Sequence, residues 1–379
     1  MNKKEGKVFV WPICTRIIHW TIGLSFSASF FTSFYKEYIH YHIAFGWIFG
    51  VMLCYRIIWG FIGPRYAAFN TFRFNLGELK WYFQEKIIDR YRKIPPGHNP
   101  ASSWYTIIVL SFGISIVISG MLLYGIQDGA GIFGYLNKKY YATMDMWHNL
   151  HLYLSYILVA WAFIHIAGVS IEQFYHKTGM IFVMLTGYKK SEGEDTDITR
   201  CSNIASYAFI IISFSLFIYI ISTYDNVITR SVFEPIDFEY ENGVFYVDCG
   251  DCHKIYPPYL LPKRSWRRIM RTLDNHFGEE ITDANISKKA KDIILKYLEK
   301  NAAEHSSRKV SFKVLNSLPP DHAPKSLTKV KYWRDVHKDI DPAIYKLPKV
   351  KNRSNCFACH IGLENGILLN EKIELPRVK

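Results

Sequence analysis

Five apolar runs, at residues 13–34, 39–62, 104–125, 147–171 and 204–222, constrain this 379-residue chain more than any other feature. Crossing ~30 Å of hydrocarbon takes about 20 apolar residues in a helix. Inside lipid the backbone has no water to bond, so a span must satisfy its own polar groups, and runs of this length do so as α-helices. The expectation is an integral membrane protein of the all-α class. A mean hydropathy near zero conceals this, because it averages an apolar front with a back third rich in Lys, Asn, Pro and Glu. The 49% hydrophobic content excludes a disordered chain, and seven cysteines are too few for a disulfide-dense scaffold.

Lys and Arg in the connections set the orientation. The segments 1–11, 63–102 and 172–203 together carry fourteen, including Lys3, Lys4, Arg90, Arg92 and Lys93, whereas the intervening loops carry Lys36, Lys138 and Lys139. That bias predicts a cytoplasmic N-terminus, with the first run as an uncleaved signal anchor. Five crossings then carry the tail, from about residue 224 onward, to the other side of a bacterial inner membrane.

The tail holds Cys249-Gly250-Asp251-Cys252-His253 and Cys356-Phe357-Ala358-Cys359-His360. Both are C-x-x-C-H, the signature of covalent c-type haem attachment. Two thiols two residues apart add across the two vinyl groups of one porphyrin, and the adjacent imidazole reaches the iron. A redox C-x-x-C pair or a zinc site would leave the repeated histidine unexplained. Four other histidines lie in the tail. His305 and His322 sit in polar, loop-like sequence, whereas His276 closes a 266–277 stretch whose apolar residues Trp266, Ile269, Met270, Leu273 and Phe277 fall on one helical face. Around the motifs, residues 249–280, 301–303 and 332–360 resemble the dihaem cytochrome c family known as DHC, over most of 245–365. That resemblance implies two histidine ligands per iron, the second ones being His276 and His337.

Ionisable residues within spans are candidates for function, because lipid burial is costly without a partner. His19, His42, His151 and His165 fit best. His151 and His165 are fourteen residues apart, about 40° off one helical face and ~21 Å along the axis, so one helix can serve two stacked haems. Ser155 and Ala162 keep the stripe between them narrow, and His148 lies about 100° off the face of His165. Gly23 and Ser27 follow His19, and Gly46 and Gly50 follow His42, at i+4 and i+8. Such small residues leave room for a flat ring or mediate close helix packing, and both roles can hold together. His40 points away from His42. Alternating helix directions put His19 and His165 at the cytoplasmic depth and His42 and His151 at the outer depth, which pairs them accordingly.

These segments resemble the prokaryotic cytochrome b561 family, which includes the haem-bearing membrane subunits of nickel-iron hydrogenases. The similarity lies in Trp11-Pro12 through His19-Trp20, the 42–60 segment with Arg56, the 59–69 segment, Gly97-His98-Asn99-Pro100 and 151–165, about residues 10–190 in all. It implies a four-helix bundle holding two b haems and exchanging electrons with quinone. Pro12 departs from the acidic residue usual at that point, and His98 is expected to support structure.

The expected architecture is a four-helix di-haem cytochrome b bundle (1–190), a cytoplasmic linker and fifth, tethering transmembrane helix (191–223), and a mainly α-helical periplasmic di-haem cytochrome c domain (224–379). Irons with two protein ligands have no open site and suit electron transfer. The expected cofactors are two non-covalent b haems and two covalent c haems, with quinone or quinol as substrate in a quinol dehydrogenase activity. The expected partners are membrane lipid, the quinone pool and a periplasmic redox protein or catalytic subunit, and no nucleic acid. Rival readings are a haem-based sensor and the anchor of a larger dehydrogenase, hydrogenase or reductase. No dinucleotide-binding glycine motif, Walker loop or iron-sulfur cysteine set occurs. Cys14, Cys54 and Cys201 read as small apolar fillers.

Overall fold

The computed structural model describes residues 6–88, 95–197, 200–223, 225–282 and 285–376. Lys3, Lys4, Arg90, Arg92, Lys93 and the expected domain edge at Tyr224 lie outside the described residues, as does the side chain of Cys201. The chain divides into two compact units, Met1–Gly120 with Trp147–Asn226, and Met121–Met146 with Val227–Lys379.

In the first unit, α1 (Ile13–Thr32) and α2 (Ile39–Ile62) form an antiparallel pair joined by a short turn. Ile18, Met52, Tyr55 and Trp59 pack between them, and the Trp59 indole donates to Thr15 Oγ1 at 3.0 Å. Then come α3 (Leu76–Ile88), α4 (Pro100–Asp128), α5 (Asn137–Tyr140), α6 (Met144–Ser170), α7 (Met180–Thr186) and α8 (Arg200–Ser222), of which α5 and the last turns of α4 fall in the second unit. Phe49 and Leu53 of α2, Leu110 and Ile116 of α4 and Leu158 of α6 make a shared core. Helix α8 is held to α2 by stacking of Tyr55 on Phe209 at 4.3 Å and by a 2.5 Å Tyr55–Ser206 hydroxyl hydrogen bond.

Four helical segments among the described residues are long and apolar enough to cross a membrane, in Lys36–Ile62, Pro100–Asp128, Gly134–Tyr175 and Asn203–Ser222. Helix α1, with Arg16, His19 and three serines in its length, is not among them. Leu24, Phe31, Phe61, Ile118, Phe163 and Phe214 are all exposed. Such an outward apolar surface is unfavourable in water and is solvated by lipid. Cys14 is buried, its thiol 3.6 Å from Asn203 Oδ1. Cys54 is exposed on α2 and fills no core gap, a correction to its reading as a filler, since its position falls on the outward face of that helix. At one end of the unit, β1 (Lys7–Phe9) pairs antiparallel with β2 (Tyr188–Lys190).

The second unit is built from short helices: α9 (Phe238–Glu241), α10 (Gly243–Gly250), α11 (Lys263–Arg271), α12 (Lys288–Lys300), α13 (Lys309–Asn316) and α14 (Lys331–His337). Phe245, Leu261, Trp266, Ile269, Ile294 and Leu298 form its main core. Asn242 caps α10 by accepting from Phe245 N at 2.9 Å, and Ser287 caps α12 through Ala290 N at 3.2 Å. The 121–146 segment belongs to this unit through the Val232 N to Gly129 O bond at 2.7 Å, the Gly131 N to Arg230 O bond at 2.9 Å, and a Lys313–Asp145 ion pair. The helical reading of 266–277 is corrected here. Helix α11 stops at Arg271, and His276 opens a tight turn with Phe277 at φ +57° and Gly278 at φ +105°. Beyond α11, Leu273–Asn275 form a single 3-10 turn, after which Asn275 Oδ1 accepts from Gly278 N at 3.2 Å, a local bond that competes with helical pairing.

Candidate cofactor sites

Each of the eight histidines singled out by sequence has a partner ring. In the first unit the centroids of His19 and His165 are 6.0 Å apart and those of His42 and His151 are 6.1 Å apart. In the second, His253 and His276 stand at 6.2 Å with ring planes 13° apart, and His337 and His360 at 6.1 Å. Two imidazoles on opposite sides of one metal, each bonded at about 2 Å, place their centres roughly 6 Å apart. The four pairs therefore have the spacing of axial ligand pairs.

Tautomers point the same way. A carbonyl can only accept, so an imidazole nitrogen bonded to one must carry its proton, and the other nitrogen is left with a free lone pair. His42 Nδ1 donates to Ser29 O at 2.8 Å, His151 Nδ1 to Ile116 O at 3.2 Å, His253 Nδ1 to Lys254 O at 2.8 Å, and His337 Nδ1 to Trp333 O at 2.8 Å. In all four, Nε2 is the nitrogen available to a metal, and the carbonyl fixes the ring's rotation.

The helix glycines divide by role. A Cβ on Gly23 would meet nothing within 4 Å, and the same holds for Gly168, three residues beyond His165, so open space of the kind a flat macrocycle requires flanks the His19–His165 pair. Gly50 instead accommodates Val117, 3.0 Å from where its Cβ would lie, and serves packing of α2 on α4. Gly120 seats the His151 ring, whose Cε1 would be 2.8 Å from an added Cβ.

Cys249, Cys252, Cys356 and Cys359 are all free thiols. Burial pushes the Cys356 thiol up to about 11, and burial, followed by Asp248 and Cys252, raises that of Cys249. Burial and then His337 hold the His360 imidazole at about 4, so it is neutral and able to ligate at neutral pH. His98 is packed between Phe72, at 4.4 Å, and Trp11, at 5.3 Å, and belongs to none of the four pairs. His305 and His322 are exposed.

Several supporting residues had escaped the sequence reading. Tyr105 stacks on His165 at 4.9 Å, and the Ser29 and Ser119 hydroxyls lie 3.1 and 3.2 Å from Nδ1 of His42 and His151. None of these carried a spacing signal. Trp333, stacked on His337 at 4.3 Å, did carry one, standing four residues before it on α14.

Residues 10–187 match the family model of prokaryotic cytochrome b561, and residues 245–367 match that of dihaem cytochrome c. A probable Ni/Fe-hydrogenase B-type cytochrome subunit from Rhodobacter capsulatus is 25% identical over 221 residues, covering 49% of this chain and 83% of the relative. A probable Ni/Fe-hydrogenase 1 B-type cytochrome subunit from Escherichia coli K12 is 24% identical over 228 residues, covering 50% and 94% respectively. Among solved structures, a diheme cytochrome c from Rhodobacter sphaeroides is 31% identical, with 36% of this chain and all of that chain covered and a TM-score of 0.30.

Proposed function

Because the chain joins a prokaryotic cytochrome b561 domain to a dihaem cytochrome c domain, and is thus a membrane haem electron-transfer protein, we propose that it passes electrons between the quinone pool and a periplasmic redox partner through two b and two c haems. His19 with His165, and His42 with His151, would each hold a b haem. Cys249, Cys252 and His253 with His276, and Cys356, Cys359 and His360 with His337, would each hold a c haem. The observation that carries this reading is the recurrence of one ring spacing, 6.0 to 6.2 Å, in all four histidine pairs.

When bound, haem supplies one-electron redox chemistry. The protein's own contribution would be two imidazoles for each haem, leaving no open position for oxygen or small ligands, with His42, His151, His253 and His337 each fixed by an Nδ1 bond to a backbone carbonyl. In this reading α1 is a fifth span, partnered along α2, with the N-terminus in the cytoplasm and the domain from 224 onward in the periplasm. Residues 1–190 then form the b domain and 191–223 the linker and tether.

A second reading, favoured by the names of the two hydrogenase-subunit relatives, makes the chain the haem-bearing anchor of a catalytic subunit. Copurification of such a subunit would support it. A pyridine haemochrome assay on pure protein tests the haem assignment: two b and two c haems per chain are expected, and a b to c ratio far from one refutes it.

A further inference from the structure

The two C-x-x-C-H sites are built differently, and the differences share one direction. The first motif is exposed along Gly250, Asp251, Cys252 and His253, and it carries one carboxylate inside the motif, Asp251, and another just before it, Asp248. The second motif is half-buried from Cys356 to His360, and its two intervening residues are the apolar Phe357 and Ala358. Lys254 follows His253 of the first motif, but its ammonium reaches across to sit 5.4 Å over the Phe357 ring of the second. In the first pair, His253 donates to a carbonyl and His276 lies in an exposed turn where water can accept its N–H hydrogen bond. In the second, His337 has its carbonyl, but Nδ1 of His360 is buried with no hydrogen-bond partner.

Oxidation adds one positive charge to a haem iron. Water, carboxylates and an axial imidazole that donates a hydrogen bond stabilise that charge, whereas burial, a nearby ammonium and an imidazole without an acceptor favour the reduced state. Lys325, close enough to repel a proton on His276, opposes the trend at the first site. Lys372 and Glu374, which approach the second motif through backbone bonds to Ile361 and Cys359, contribute one charge of each sign. The balance still favours oxidation at the first site and reduction at the second.

We infer that the haem at Cys356–His360 has the higher reduction potential of the two c haems, so that an electron entering the domain settles there. The exchange moves one electron from the first site to the second, with no bond made or broken. The inference rests on the proposed attachment of a haem at each motif.

An equilibrium redox titration of the full-length protein in detergent, followed at the c-type absorption band, tests it. Two waves are expected, separated by at least tenfold in reduction equilibrium constant, about 59 mV for one electron. Asp251→Asn should raise the lower wave a few-fold in that constant and leave the upper one in place. Ala358→Asp should lower the upper wave by a similar factor and spare the lower. Coincident waves, or Asp251→Asn moving the upper wave, would overturn the order. Intact-protein mass separates this from the underlying reading: two haem masses with the waves assigned in reverse refute the order alone, whereas no added haem mass refutes attachment as well.

Discussion

His151 shows how much of a cofactor site is written in side chains and how much is not. Its type and its spacing from His165 are legible in sequence, because histidine is scarce inside apolar runs and helical geometry is rigid. The acceptor that orients it is the backbone carbonyl of Ile116, 3.2 Å away, and a carbonyl is common to every residue and leaves no signature. Gly120 was likewise invisible, one glycine among 23, until the ring was seen against it. Gly120→Val is therefore expected to displace the His151 ring and remove about one b haem per chain while both c haems stay attached, a loss read directly from the haemochrome ratio. If Gly120→Val retained both b haems, the close seat of that ring would be irrelevant to binding. Gly23→Leu, which fills open space beside the His19–His165 pair, should also cost one b haem.

At the scale of elements, the long helices were readable to within a turn or so, because twenty apolar residues in succession allow few other structures. The turn at His276 was not. Its helical spacing of apolar residues is real, but Asn275 and Gly278 offer the backbone a local alternative that a periodicity count does not weigh. Gly278, at φ +105° with nothing within 4 Å of an added Cβ, is required for its backbone conformation alone. Gly278→Val should cost about 1 kcal/mol or more and loosen His276. The expected readout is a high-spin fraction and carbon monoxide binding at one reduced c haem, with haem attachment intact. A fully low-spin Gly278→Val protein would remove His276 from the ligand set. Between helices α2 and α8, Ser206→Ala should lower stability by about 1 kcal/mol through the lost Tyr55 bond, measurable as a reduced thermal midpoint.

At the scale of the whole molecule, the grouping of residues 121–146 with the tail was beyond a linear reading, since it rests on bonds such as Gly131 to Arg230 that join distant positions. The Lys and Arg bias of the connections predicts a cytoplasmic N-terminus and an outward C-terminal end. A reporter fused to the C-terminal end should be active only if it works in the periplasm, and activity of a cytoplasm-only reporter would overturn the five-span arrangement. Depth also sets the electron path. If quinol is oxidised near the inner pair, His165→Ala should block reduction of the c haems, whereas rapid reduction in that variant would move the quinone site to the outer side.

In the proposed function the b haem held by His42 and His151 relays electrons from quinol to the c haems. Stopped-flow reduction of the reconstituted protein by a quinol, comparing wild type with His42→Ala, tests it most directly. The expected result is rapid reduction of both b and c absorption bands in the wild type, and in His42→Ala two attached c haems that quinol no longer reduces. Reduction of those c haems at the wild-type rate, with the outer b haem absent, would contradict it.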